Sequence, residues 1–299
     1  MIRLANAPCS WGVLEFEGTR NTAPFGRVLD EIRDTGYAGT ELGDWGFMPT
    51  EPDQLKSAVA DRGLRLVAAF VPVALADASS HNAGVAVAVR TARLLRAAGE
   101  PDAMIVLSDR NASVLAREQN AGRITAAHGL KDTEWSIFAE GAERVARAVR
   151  EETGLRTVFH PHCGGYVETI GEIDALMGRT DPSTLGLCLD TGHIAYAGGD
   201  PLEVLERHAG RLWHVHFKDC HPQIAKKARA AGLGYLAAVR SKLFCELGAG
   251  AVDFAAVLAA LRRHLYDGWI VVEQDVFPSS GSPAQSASRN RQYLRSLGV

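Results

Sequence analysis

The chain has 299 residues, 46% hydrophobic and 22% charged, with 35 acidic and 32 basic side chains and a formal charge of −3. That much apolar material excludes disorder. No Lys/Arg excess exists to neutralise a nucleic-acid backbone, and no run of apolar residues is long enough for a membrane span.

Along the chain, short apolar runs of strand type alternate with longer stretches of helical period. Run 2–6 leads through Pro8-Cys9-Ser10-Trp11-Gly12 to a helical stretch near 25–35, and run 39–42 leads to one at 52–62. The pattern repeats with 65–70 and 82–98, 103–107 and 134–153, 156–160 and 169–178. It closes with 185–190 and 201–209, 212–217 and 253–265, 269–273 and 283–296. Thr50-Glu51-Pro52, Asp200-Pro201 and Ser282-Pro283 place a proline near the first helical position of three of these helices. Eight βα units point to an α/β fold, a (β/α)₈ TIM barrel spanning 1–299 as one domain. The competing doubly wound sheet usually carries a G-x-G-x-x-G turn after its first strand, and this chain has none there.

Two long loops, 108–131 and 218–250, follow strands and so belong to the C-terminal face of the barrel, where active sites are built. The second contains Lys226, Lys227 and Arg229 on a short extra helix, too small a patch for nucleic acid. The five cysteines are odd in number, with no CxxC spacing, and are expected to be reduced thiols in a cytoplasmic protein. The segment from Met1 to Pro8 lacks the basic start and apolar run of a signal peptide.

Chemistry gathers at the strand ends. The second strand ends in Glu41, the fifth in His160-Pro161-His162, and the sixth in Asp190-Thr191-Gly192-His193. The seventh carries His214-Val215-His216-Phe217-Lys218-Asp219, and the eighth ends in Glu273-Gln274-Asp275. Side chains alternate along a strand, so His160 and His162 share a face, as do His214 and His216. In a barrel Asp190, His216 and Glu273 come from adjacent strands and converge on one point. A carboxylate–imidazole set without thiolate suits Mn²⁺, Co²⁺, Fe²⁺ or Zn²⁺.

The segments Leu187-Cys188-Leu189-Asp190-Thr191-Gly192-His193, His214 to Asp219 and Val271-Val272-Glu273 resemble signatures of the xylose isomerase-like barrel superfamily of sugar isomerases and epimerases. Asn6 to Gly12, Gly39-Thr40-Glu41-Leu42-Gly43 and Phe159 to Thr169 more specifically resemble the inosose dehydratase family, and the resemblance spans the chain. It implies a divalent metal, Mn²⁺ or Co²⁺ foremost, held by Asp190, His216, Glu273 and His160. It also implies removal of water from 2-keto-myo-inositol to give a trihydroxycyclohexane-dione in inositol breakdown. Epimerases of the superfamily usually carry Glu where His160 stands. Paired carboxylates suit epimerisation, whereas a His–Glu set suits β-elimination.

Glu273 or a neighbouring histidine is the candidate base, and His193, His162 or Lys218 the candidate acid. Trp11 and Trp45 are expected to form a flat wall for the ring, with Glu41 and Glu168 binding hydroxyls. Ser108, Asp109 and Arg110 are weaker candidates, and Trp135, Trp213 and Trp269 are expected to pack. The runner-up is a metal-dependent keto-sugar isomerase or epimerase. An apurinic-site endonuclease is disfavoured by the charge, and a non-catalytic sugar binder by the intact Asp/His/Glu set. The expected partner is thus a small polyol ketone, without nucleic acid or membrane, and a homo-oligomer paired through the loop face is allowed.

Overall fold

The computed structural model describes residues 1–14, 23–277 and 281–299. Eight parallel strands close into a barrel: β1 (Arg3–Asn6), β2 (Gly39–Glu41), β3 (Arg65–Val73), β4 (Met104–Asp109), β5 (Arg156–Phe159), β6 (Leu185–Asp190), β7 (Leu212–Phe217) and, last in the chain, β10 (Trp269–Val272). Each strand pairs with its sequence neighbour, and β10 pairs with both β7 and β1 to complete the ring. All eight lie where the apolar runs put them.

The outer helices are α1 (Phe25–Asp34), α2 (Pro52–Ala60), α3 (His81–Ala97), α5 (Asp132–Thr153), α6 (Ile170–Arg179), α8 (Pro201–His208), α11 (Phe254–Arg263) and α12 (Pro283–Ser296). Their apolar faces and the outward strand residues form the main core, which includes Val28, Leu95, Phe138, Leu176 and Leu258. Among the described residues no helix is long and apolar enough to cross a membrane.

The long loops carry structure that the strand–helix alternation does not announce. They hold α4 (Leu115–Gln119), α9 (Pro222–Ala230), α10 (Tyr235–Arg240) and a small antiparallel ribbon of β8 (Asp219–Cys220) and β9 (Phe244–Cys245). A short helix, α7 (Thr191–Tyr196), starts directly at the end of β6. The basic group Lys226, Lys227 and Arg229 lies on α9, as the spacing suggests.

Inside the barrel, inward residues alternate with outward ones. The inner layer contains Ala5, Ala7, Val67, Met104, Val106, Val158, Cys188 and Val271, filling the lumen as in a packed barrel interior. Trp213 and Trp269 pack against it at the N-terminal ends of their strands. A Cβ on Gly186 would stand 2.3 Å from the Trp213 ring, so that position admits only hydrogen. With that end filled, the opposite end is where polar side chains gather.

Buried charge fastens the loops to that rim. Arg117 on α4 is fully buried; its Nε donates to the Gly165 carbonyl at 2.7 Å, and its two terminal nitrogens reach Glu172 on α6 at 2.7 and 3.0 Å. Arg123 donates to the Leu233 carbonyl at 3.0 Å, tying the same loop to the segment between α9 and α10. Breaking a buried ion pair from one side leaves a charge with no compensation. Arg117→Met is therefore expected to lower the unfolding free energy by about 3 kcal/mol, read as a lower urea midpoint. An unchanged midpoint would show that the clamp is decorative.

Candidate active site

The rim is built by strand alternation. Along β7 and just beyond it, His214, His216 and Lys218 all point inward, and after β10 Glu273 and Asp275 do the same. Asp190 ends β6 and N-caps α7, its Oδ1 accepting from the His193 N–H at 2.8 Å. That bond leaves Oδ2 turned to the lumen, 3.3 Å from His160 Nε2 and 3.9 Å from His216 Nδ1. His216 Nδ1 also lies 3.2 Å from Glu273 Oε2.

One donor atom each from His160, Asp190, His216 and Glu273 lies within 4.8 Å of all the others. Donors about 2.0–2.2 Å from a common ion fall inside that spread. His216 Nδ1 is buried with no hydrogen-bond partner and faces two carboxylates. A divalent cation satisfies that orphan and those charges together, so these residues fit the metal that the resemblance implies.

Beside this set sits a fully buried ammonium. Lys218 Nζ lies 3.0 Å from Asp275, 3.1 Å from Glu273, 3.4 Å from Asp190 and 3.1 Å from His193 Nε2. Burial works against its charge, but the three carboxylates hold its pKa well above the ordinary lysine value. Burial likewise works to raise Glu273, yet His216 and Lys218 hold it well below the usual carboxylate range. Asp275 behaves oppositely: burial raises it despite Lys218, and the Tyr235 hydroxyl donates to it at 2.9 Å. Burial pushes His162 and His193 well below the usual imidazole value, so both rings are neutral; they lie tilted against each other with centroids 3.8 Å apart. His162 Nδ1 sits 2.8 Å from the Cys163 carbonyl, which places the proton on Nδ1 and the lone pair on Nε2.

A cleft opens onto these groups. Glu41, His160, His162, His216, Lys218 and Glu273 line it, while Asp190 and His193 stand behind that first layer. Three expected contacts do not reach the cleft. Trp11 is buried, its indole N–H donating to Glu31 on α1 at 2.7 Å. Trp45 turns outward and stacks on the Arg90 guanidinium, 4.0 Å from its ring centre. Glu168 accepts from the Gly164 and Gly122 N–H groups at 2.9 and 2.6 Å, stitching two loops together. The apolar wall instead comes from Ala7, Pro8, Val13, Leu14 and Phe70, whose ring stands edge-on to His160. Sequence reasoning missed Phe70, Asp44, Cys9 and the role of Asp275. Only Asp275 carried a usable signal, standing two residues after Glu273 and thus on the same face.

Glu168 generates a prediction of its own. Burial, partly offset by its two N–H donors, pushes its pKa up to about 7 from 4.5. A raised carboxyl pKa means that the native state holds the proton more tightly than the unfolded chain. Its stabilising contribution is complete below pH 4.5 and is lost as pH rises towards 7. Glu168→Gln is expected to flatten the fall in stability across that window by up to about 3 kcal/mol, measured by urea unfolding at stepped pH. Parallel profiles for variant and parent would contradict this.

Known proteins align with this geometry over nearly the whole chain. A family model described as xylose isomerase-like TIM barrel matches residues 29–297. An inosose dehydratase of Lacticaseibacillus casei is 32% identical over 293 residues, covering 98% of this chain and 96% of that protein. One from Geobacillus kaustophilus is 31% identical, covering 99% and 94%. Among solved structures, a 3-keto-D-glucoside 4-epimerase from E. coli superposes with a TM-score of 0.71 at 17% identity, covering 99% of this chain and 100% of that one, a likeness of fold alone. The chain belongs to the xylose isomerase-like TIM barrel family and, within it, to the inosose dehydratases.

Proposed function

We propose that the chain is a divalent-metal hydro-lyase that removes water from 2-keto-myo-inositol, giving a trihydroxycyclohexane-dione in inositol catabolism. The observation that carries it is the asymmetry of the rim. An imidazole, His160, stands across from Glu273 where epimerases of the superfamily usually carry a second carboxylate, and a proton-rich ammonium, Lys218, lies 3.1 Å from Glu273. Elimination of water beside a ketone needs one proton acceptor and one proton donor of different character. A symmetric acceptor pair serves epimerisation better.

His160, Asp190, His216 and Glu273 would hold the ion, Mn²⁺ or Co²⁺ suiting this nitrogen–oxygen set. When bound, it supplies Lewis-acid polarisation of the ketone oxygen and stabilises the charge that develops there. Glu273, kept ionised by His216 and Lys218, takes the proton next to the ketone. Lys218 delivers a proton to the departing hydroxyl, with Asp190, Asp275 and His193 fixing its position. His162 offers an Nε2 lone pair to a ring hydroxyl, and Phe70 presents a flat apolar face to the ring. Among the described residues no arginine lines the cleft, whereas Glu41, Asp44, Glu273 and Asp275 do, which favours an uncharged polyol over a phosphorylated sugar. The free cysteines accord with a cytoplasmic enzyme.

The direct test incubates metal-loaded protein with 2-keto-myo-inositol and reads mass and proton NMR. Loss of one water supports the proposal. Stereochemical inversion at unchanged mass would replace it with the epimerase reading. A second measurement separates the roles: Lys218→Met is expected to lower kcat by about 10²–10⁴-fold while the proton beside the ketone still exchanges with deuterated solvent. Loss of that exchange as well would remove Lys218 from the role of acid alone.

A further inference from the structure

Glu41 is the last residue of β2, and its side chain crosses the lumen to strand β7, which lies three places away around the barrel. A register shift between Thr40 and Glu41 falls at this point, and two small inner residues, Ala5 of the neighbouring β1 and Ala7 just beyond that strand, leave room for the crossing. Its Oε1 sits 2.9 Å from His214 Nε2 and 2.9 Å from His216 Nε2. Two buried imidazoles thus converge on one carboxylate oxygen. His214 has no part in the chemistry described above.

A hydrogen bond to Glu41 places a proton on His216 Nε2, because a carboxylate only accepts. In the neutral ring the lone pair must then lie on Nδ1. That atom is buried, has no hydrogen-bond partner, and faces Glu273 at 3.2 Å and Asp190 at 3.9 Å. We propose that Glu41 is a positioning residue that acts through His216: it fixes the tautomer and ring orientation that aim Nδ1 at a divalent cation, with His214 bracing the same carboxylate oxygen. A hydroxyl-binding Glu41 would leave His216 free to present either nitrogen. The inference rests on the metal part of the proposed function and is independent of the substrate.

The test titrates metal-stripped protein with Co²⁺, following its visible absorption, for wild type and Glu41→Gln. The variant is expected to bind about 10–100-fold more weakly, with an altered Co²⁺ spectrum and a substrate KM close to wild type once metal is saturating. Unchanged affinity and spectrum with a raised KM would overturn the proposal and return Glu41 to substrate binding. A variant that does not fold leaves a measurement on the wild type, the ¹⁵N shifts of His216 with Zn²⁺ bound. A metallated Nδ1 with a protonated Nε2 supports the proposal, and a metallated Nε2 overturns it. Wild-type protein that binds neither ion would overturn both this inference and the metal site. A wild type that binds normally beside an unaffected Glu41→Gln would sink this inference alone.

Discussion

Everything at the barrel mouth depends on one electrostatic constraint. Glu41, Asp190, Glu273 and Asp275 are all buried around the side chains of His216 and Lys218. Carboxylates taken out of water are costly unless each meets a positive partner or a hydrogen-bond donor, so their presence dictates the rest of the site. Lys218 answers three of them, His216 answers Glu41 through Nε2, and the α7 N-terminus answers Asp190. The remaining negative charge, and the orphan nitrogen of His216, are what a divalent ion would satisfy.

The fold makes that arrangement attainable. Inward residues on neighbouring strands lie at matched heights, so His216 pairs in register with Asp190 on one side and, on the other, with Val271, two residues before Glu273. The residues two steps further along, Lys218 and Asp275, then meet above the first set. The filled N-terminal end keeps water to one mouth, and the buried Arg117 clamp holds the β4 loop against the β5 loop over it. Positioning in this way, on strand ends with braced neighbours, is how a site gains the precision that catalysis needs.

The sequence made much of this legible because two of its signals are local. Apolar runs and helix-start prolines located all eight strands and the main helices, and period-two alternation put His214, His216 and Lys218 on one face. What escaped depended on partners distant in the chain. Trp11 and Trp45 look like ring-stacking walls until Glu31 and Arg90 are seen to claim them from α1 and α3. Glu168 looks like a hydroxyl ligand until the loop containing Gly122 folds back onto it. Phe70 was hidden because an aromatic within an apolar strand gives no sign of which side it faces, and α7 because Asp190 serves as both rim carboxylate and helix cap.

The central claim, that four strand ends converge on one cation, is most directly tested by anomalous diffraction from crystals soaked in Mn²⁺. The account predicts a single strong peak bonded at about 2.0–2.3 Å to His160, Asp190, His216 and Glu273, with His216 contributing Nδ1. No peak at that point, or one held by a different set of side chains, would contradict it.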